Sequence, residues 1–235
     1  NWGGLIKDPG IILAHGLASL TDARGQIAVP EWRPTSLTDE LRTQLADLTV
    51  SGGPSAPAID LDWGEADLSP EERVFGWNSF TLLALEQGDP AQPQNAIQPS
   101  ARAVCQLRYV VGTDPDDVLP ALRRHLDGHG FVNVEITATR MAGMRATRLD
   151  AADPWAQLAL KSIDQTLGHP AALVPNIGGS IPNDIFADLL GLATVWIPHS
   201  YAGCAQHAPN EHMLTNVARE GLCVMTGLFW DIGDI

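Results

Sequence analysis

Two short apolar runs most constrain what this chain can fold into: Ala171-Ala-Leu-Val-Pro175 and Leu192-Ala-Thr-Val-Trp-Ile197. Each has the length and apolar content of a buried strand rather than of a core helix. Between them lie a Gly178-Gly179-Ser180 turn and an amphipathic helical segment, Asp184 to Leu190. Helical patterns flank the pair, Trp155 to Leu167 before it and Leu214 to Asp231 after it. Strand and helix alternating in this way predict an α/β arrangement on a parallel sheet. In such sheets ligands bind in the loops beyond the carboxyl ends of the strands. The polar loop His199 to Glu211, just after the second run, is therefore one edge of a candidate active site.

The first half of the chain reads differently. Pro9 to Asp22 carries Ile11, Ile12, Leu13, Leu17 and Leu20 at helical spacing, with Asp8 as N-cap and proline at the first helical position. Thr38 to Leu48 is a second helix, and the acidic stretch Glu65 to Arg73 a short third one starting near Ser69-Pro70. Gly25 to Pro30 is extended, and Ser51 to Pro57 is breaker-rich and must be loop. Phe80 to Glu86, Ala101 to Val111 and Phe131 to Thr139 have strand character, the last alternating apolar and polar, and Val118 to His129 is an amphipathic helix. That order predicts an α+β sandwich with antiparallel pairing. The expected organisation is thus a first domain over residues 1–147, with an insertion of helices and loops around 25–75, and a second over 148–235.

The 235 residues are 45% apolar and 18% charged, with a net charge of −14. Nucleic acid and anionic membrane surfaces both need a basic face, so neither is an expected partner. No apolar run is long enough to span a bilayer. Three scattered cysteines (Cys105, Cys204, Cys223) fit a reducing compartment better than a disulfide framework, and the expected location is cytoplasmic. Asn1-Trp-Gly-Gly reads as mid-chain sequence, so the absence of a targeting segment carries no weight.

Gly-Gly-Ser-Ile-Pro (178–182) followed by His-Ala-Pro-Asn-Glu (207–211) resembles two motifs, in the right order, of the M20 family of dizinc metallopeptidases, nearest to its carnosinase-like dipeptidases. By composition a lone loop histidine is more often surface decoration. The resemblance instead implies that His207 is a zinc ligand, with Asn210 and Glu211 beside it to orient the ring. Gly179 and Ser180 would contact the carboxylate of the substrate; the glycines also suit a tight turn, and both readings can hold. A serine nucleophile is disfavoured, since the pattern is not Gly-x-Ser-x-Gly. The resemblance further implies that Arg108, on a strand of the lid domain, and Asn95, in a preceding loop, reach the substrate of a neighbouring subunit. Asparagine departs from the threonine common at that position, but its amide can donate and accept.

Family members carry further metal ligands and a general base in a His-x-Asp motif, a Glu-Glu pair and two more aspartates. There is no His-x-Asp here, and Glu71-Glu72 is better read as a solvated helix start. The resemblance implies a lid (dimerisation) domain followed by the last part of an α/β catalytic domain, forming a homodimer. The intact protein is expected to hydrolyse dipeptides or small peptides with two zinc ions, or manganese, activating a water. The fragment by itself is expected to be inactive. Alternatives are an N-acyl amino acid amidohydrolase on the same scaffold and a non-catalytic dimerisation module.

Overall fold

The structure is a computed structural model, and it describes residues 2–50, 58–139, 144–206 and 209–234. Its architecture is mixed helix and strand. In chain order the elements are α1 (Pro9–Ala18), α2 (Asp39–Ala46), α3 (Pro70–Phe75), β1 (Ser79–Glu86), β2 (Arg102–Arg108), α4 (Val118–Gly128), α5 (Pro154–Leu167) and α6 (Thr215–Gly233), with short 3-10 turns at Pro30–Trp32 and Ala202–Cys204. The chain divides into two compact units. The first comprises Asn1–Leu37, Leu61–Ser69 and Trp77–Gly143, and the second Thr38–Asp60, Pro70–Gly76 and Met144–Ile235. No helix among the described residues is long and apolar enough to cross a membrane.

In the first unit, α1 starts where its caps dictate. Asp8 accepts from the amides of Gly10 and Ile11, and Pro9 occupies the first turn, where its missing N–H costs nothing. The core gathers Leu20, Ile27, Val29, Trp32, Ala121 and Leu126, with Phe80 and Leu107 of the sheet packed against it. Burying side chains of this size contributes about 1.5–3 kcal/mol each. Strands β1 and β2 pair antiparallel, Phe80 opposite Leu107 and Leu82 opposite Cys105, with a register shift between Leu82 and Ala84. Buried polar groups tie this unit together. Asn78 donates to the Trp32 carbonyl (2.6 Å) and to Thr113 Oγ1 (2.8 Å), and accepts from the Val110 amide (2.8 Å). The Glu65 carboxylate, also buried, accepts from the Ile27 amide (3.0 Å) and from Arg33 (3.1 Å).

Phe131 to Thr139, expected as a strand, joins no ladder in the described structure. Arg123 of α4 explains why. Its guanidinium donates to the carbonyls of both Phe131 and Val134, occupying acceptors that a neighbouring strand would use. The apolar half of the alternation is still satisfied, because Phe131, Val134 and Ile136 pack on the core. Gly25 to Pro30 contributes a single bridge, Thr21 to Ile27.

In the second unit, α2 begins at the Thr38 cap, whose Oγ1 accepts from the Leu41 amide. Glu72 of α3 is buried and ion-paired to Arg42 of α2, while Glu71 accepts from the Val50 amide (3.2 Å). Glu71-Glu72 is therefore a packed pair joining α2, α3 and the Val50 segment, not the solvated helix start that its acidity suggested. Helix α5 ends at Gly168, where φ of +74° admits glycine without strain. It packs against α6, and the buried positions are Ala156, Ala159 and Ser162 on α5 and Gly221 and Val224 on α6.

The two runs expected as buried strands, 171–175 and 192–197, are extended but form no ladder among the described residues. Leu192 donates its amide to the Phe186 carbonyl (2.9 Å) instead, and Val195 and Trp196 remain well exposed. A strand exists only with a partner to share its hydrogen bonds, and sequence reports the apolar pattern but not the partner. The helix expected over Asp184 to Leu190 is a five-residue π turn, Ile185–Leu189, with none of its residues buried. Pro182 and Gly191 (φ +65°) leave too short a span for a stable α-helix.

Candidate functional site

His207, the metal ligand expected from its motif, lies outside the described residues, as does Ala208 beside it. The loop on either side of them is described. The backbone enters from Pro198, makes a 3-10 turn at Ala202–Cys204 and returns into α6 at Thr215. Two glycines make room for the rings that hold it. A methyl group on Gly221 of α6 would come within 2.7 Å of His199 Nδ1, and one on Gly203 within 2.4 Å of the Tyr201 ring. The loop is closed by the His212 amide donating to the Cys204 carbonyl (3.0 Å), with Cys204 buried. Asn210 sits at φ +64°, a left-handed conformation that asparagine tolerates better than most residues. This loop, with His199, Ser200, Tyr201, Cys204, Glu211 and His212 along it, borders a cleft of about 320 Å³. His199 and His212 share this cavity, which their spacing in the sequence does not reveal.

A second cavity, of about 350 Å³, lies between α5, α6 and the two extended runs. Leu160, Ile163, Leu173, Val195 and Val224 make it mostly apolar, with His169, His199 and Glu220 among its polar groups. His199 and Val217 line both spaces.

Gly179 and Ser180 are exposed in the same unit. A side chain at Gly179 would meet nothing, so the glycine is not forced by crowding. The π turn that follows starts at Ile185 and is too short to act as a helix N-terminus, so the anion site expected from a helix start is not what these two residues offer. What remains is an exposed amide and a hydroxyl. The segment after them is fixed by Asn183, whose Nδ2 donates to Thr147 Oγ1 (2.6 Å) and whose Oδ1 accepts from the Trp196 indole (3.0 Å).

Arg108 and Asn95 belong to the first unit. Arg108 is the last residue of β2, exposed on the face opposite Leu107, with Nε donating to Gln106 Oε1 (3.3 Å). Asn95 is exposed in the loop between the strands.

Among the described residues no three His, Cys, Asp or Glu side chains gather closely enough to hold a metal ion. A zinc site needs about four ligands, three of them from protein even at an open catalytic site. The described donor set therefore does not fit a metal by itself.

No protein-family model matches the sequence, and no curated protein does. Solved structures do match. An M20 family metallo-carboxypeptidase from Sulfolobus solfataricus superposes with a TM-score of 0.78 at 20% identity, over 97% of this chain and 53% of that one. The fold is that of M20 peptidases. The Saccharomyces cerevisiae di-peptidase Dug1p matches with a TM-score of 0.72 at 19% identity, over 100% of this chain and 50% of its own. Human carnosine dipeptidase 1 matches with a TM-score of 0.74 at 19% identity, over 100% and 52%. The chain thus spans about half the length of each of these three structures.

Proposed function

We propose that this chain is part of a hydrolase of dipeptides or other small peptides. It would combine a lid domain of α+β sandwich type, residues 1–147, with the closing portion, 148–235, of an α/β catalytic domain. The observation that carries the proposal is fold likeness over nearly the whole chain to three structures, each of which is a peptidase by name. In this reading His207 is a ligand of a zinc site, with manganese as an alternative. Its other ligands belong to polypeptide outside the described residues, since those residues supply no cluster of donors. Gly179 and Ser180 contact the carboxylate end of the substrate through an exposed amide and hydroxyl. Arg108 and Asn95 contact the substrate held by the second subunit of a homodimer, Arg108 by paired N–H donors to a carboxylate or oxyanion. Exposed Leu82, Leu83 and Leu85 on β1 support a lid that buries its sheet against a symmetry mate. Three cysteines without a disulfide support a reducing, cytoplasmic setting.

The 235 residues by themselves are expected to hydrolyse nothing. The test is the zinc content of the intact protein and of its His207→Ala variant. The variant should lose bound zinc, because one missing ligand of a small set removes most of the affinity; unchanged stoichiometry would remove the assignment.

A further inference from the structure

We infer that Asn183 is the positioning residue of the Gly179-Ser180 turn, and that its amide sets how strongly the site prefers a substrate ending in a free carboxylate. Among the described residues 163–201, Asn183 alone is buried. The turn itself has no such anchor. Gly179 and Ser180 are exposed, a side chain at Gly179 would meet nothing, and none of the residues of the π turn at Ile185–Leu189 is buried. Apolar burial therefore contributes little to holding this stretch. Asn176 holds the chain before the turn by donating to the Phe75 carbonyl (2.8 Å), and Asn183 holds it after the turn.

The amide is engaged at both ends. An indole N–H can only donate, so Oδ1 faces Trp196 (3.0 Å), and Nδ2 is left to donate to Thr147 Oγ1 (2.6 Å). Losing either bond leaves a polar atom of a buried side chain unpaired. A second tie runs alongside, the Arg145 amide donating to Asp184 Oδ2 (3.2 Å). The link from Asn183 back to Ser180 is short and stiff. Pro182 fixes its own φ, and the Asn183 amide donates across it to the Ile181 carbonyl (2.8 Å). A displacement of Asn183 is thus passed on to Ser180 rather than absorbed between them. Trp196 lies in the run that leads into the His199 to Glu211 loop, so one amide connects the stretches that carry the two motifs. Hydrogen bonds to a ligand tolerate displacements of only about 0.5 Å, so this support decides how well the turn meets a carboxylate. The inference rests on the reading in which Gly179 and Ser180 contact the carboxylate end of the substrate.

The test is calorimetric titration of the intact protein, in EDTA so that turnover is not read, with an unblocked dipeptide and with the same dipeptide as its C-terminal amide. The wild type should bind the carboxylate form at least about tenfold more tightly than the amide. Trp196→Phe removes the indole donor and Thr147→Val the hydroxyl acceptor, and in both cases the bond lost is one to Asn183. Each should weaken the carboxylate form by about tenfold and leave the amide form within about twofold of wild type. Thr147→Ser, which keeps the hydroxyl, should keep the preference. A preference retained in either Trp196→Phe or Thr147→Val, one lost in Thr147→Ser, or a weakening shared equally by the two ligands overturns the role of Asn183 and leaves the carboxylate contact standing. A wild type that shows no preference, or binds neither compound, contradicts the contact itself, and the role of Asn183 falls with it.

Discussion

Asn78 is buried with three hydrogen bonds and joins two stretches of the first unit, the Trp32 turn and the Val110 to Thr113 segment just after β2. Removing the amide strands a carbonyl, an amide and a hydroxyl away from water. Asn78→Ala should cost about 2–3 kcal/mol of stability, read from urea unfolding. A loss under about 0.5 kcal/mol would mean that water replaces the amide there. Nothing in the sequence marks this asparagine among the others, since its role depends on segments that lie more than thirty positions away. Arg124 is the opposite case, exposed and paired with Asp117 (2.7 Å) and Glu31 (3.1 Å). Hydrogen bonds from that guanidinium hold the Asp117 carboxyl below its ordinary value of 3.8, and they add to a backbone bond that lowers Glu31 below 4.5. Groups whose folded values are depressed contribute stability above their unfolded values and lose it as pH falls through the folded ones. Arg124→Met should therefore lower the unfolding midpoint slightly at pH 7, and the gap should close as the pH drops below about 4. A gap that is constant from pH 7 to pH 2 would exclude the ion pairs as its source.

The helices were the elements most legible in sequence, and the reason is local. The Asp8 cap with Pro9, the Thr38 cap and the Gly168 stop each act on residues within one turn of themselves. β1 and β2 were legible as well, because their apolar pattern found a partner fewer than thirty residues away. The runs at 131–139, 171–175 and 192–197 carry the same pattern without a ladder among the described residues, since what fixes a strand lies elsewhere in the chain or beyond it. Helix packing gives a direct prediction at this scale. A methyl group on Gly227 of α6 would come within 2.3 Å of Thr166 Oγ1 on α5. Alanine gains about 0.5–1 kcal/mol of helix propensity, but overpacking costs about 1–3 kcal/mol, so Gly227→Ala should destabilise by about 1 kcal/mol. Adding Thr166→Ala should recover most of that loss in a double-mutant cycle. Strictly additive effects would show that the two helices are not in contact at this point.

For the molecule as a whole, the motifs say more than the periodicity. Gly-Gly-Ser-Ile-Pro and His-Ala-Pro-Asn-Glu pointed to a peptidase architecture that the solved structures share, at identities of 19–20%. The first domain expected over residues 1–147 took in 38–60 and 70–76, whereas the structure groups Thr38–Asp60 and Pro70–Gly76 with Met144–Ile235. Arg42–Glu72 and Val50 on Glu71 join those two segments to each other, and Asn176 donating to the Phe75 carbonyl (2.8 Å) ties them to the rest of that unit. Sequence could not show the cleft beside His199 and His212, which exists only once the loop folds back on α6. If the lid pairs through β1, sedimentation should give a dimer, and Leu83→Lys together with Leu85→Lys should give a monomer with an unchanged helical spectrum; a wild-type monomer would contradict the pairing. The most direct test of the whole account is hydrolysis by the intact protein, supplied with zinc, of an unblocked dipeptide and of its N-acetylated amino-acid counterpart. The account predicts cleavage of the dipeptide, little of the acylated compound, and a loss of at least about a thousandfold in His207→Ala. Dipeptide cleavage that is undiminished in that variant would contradict it.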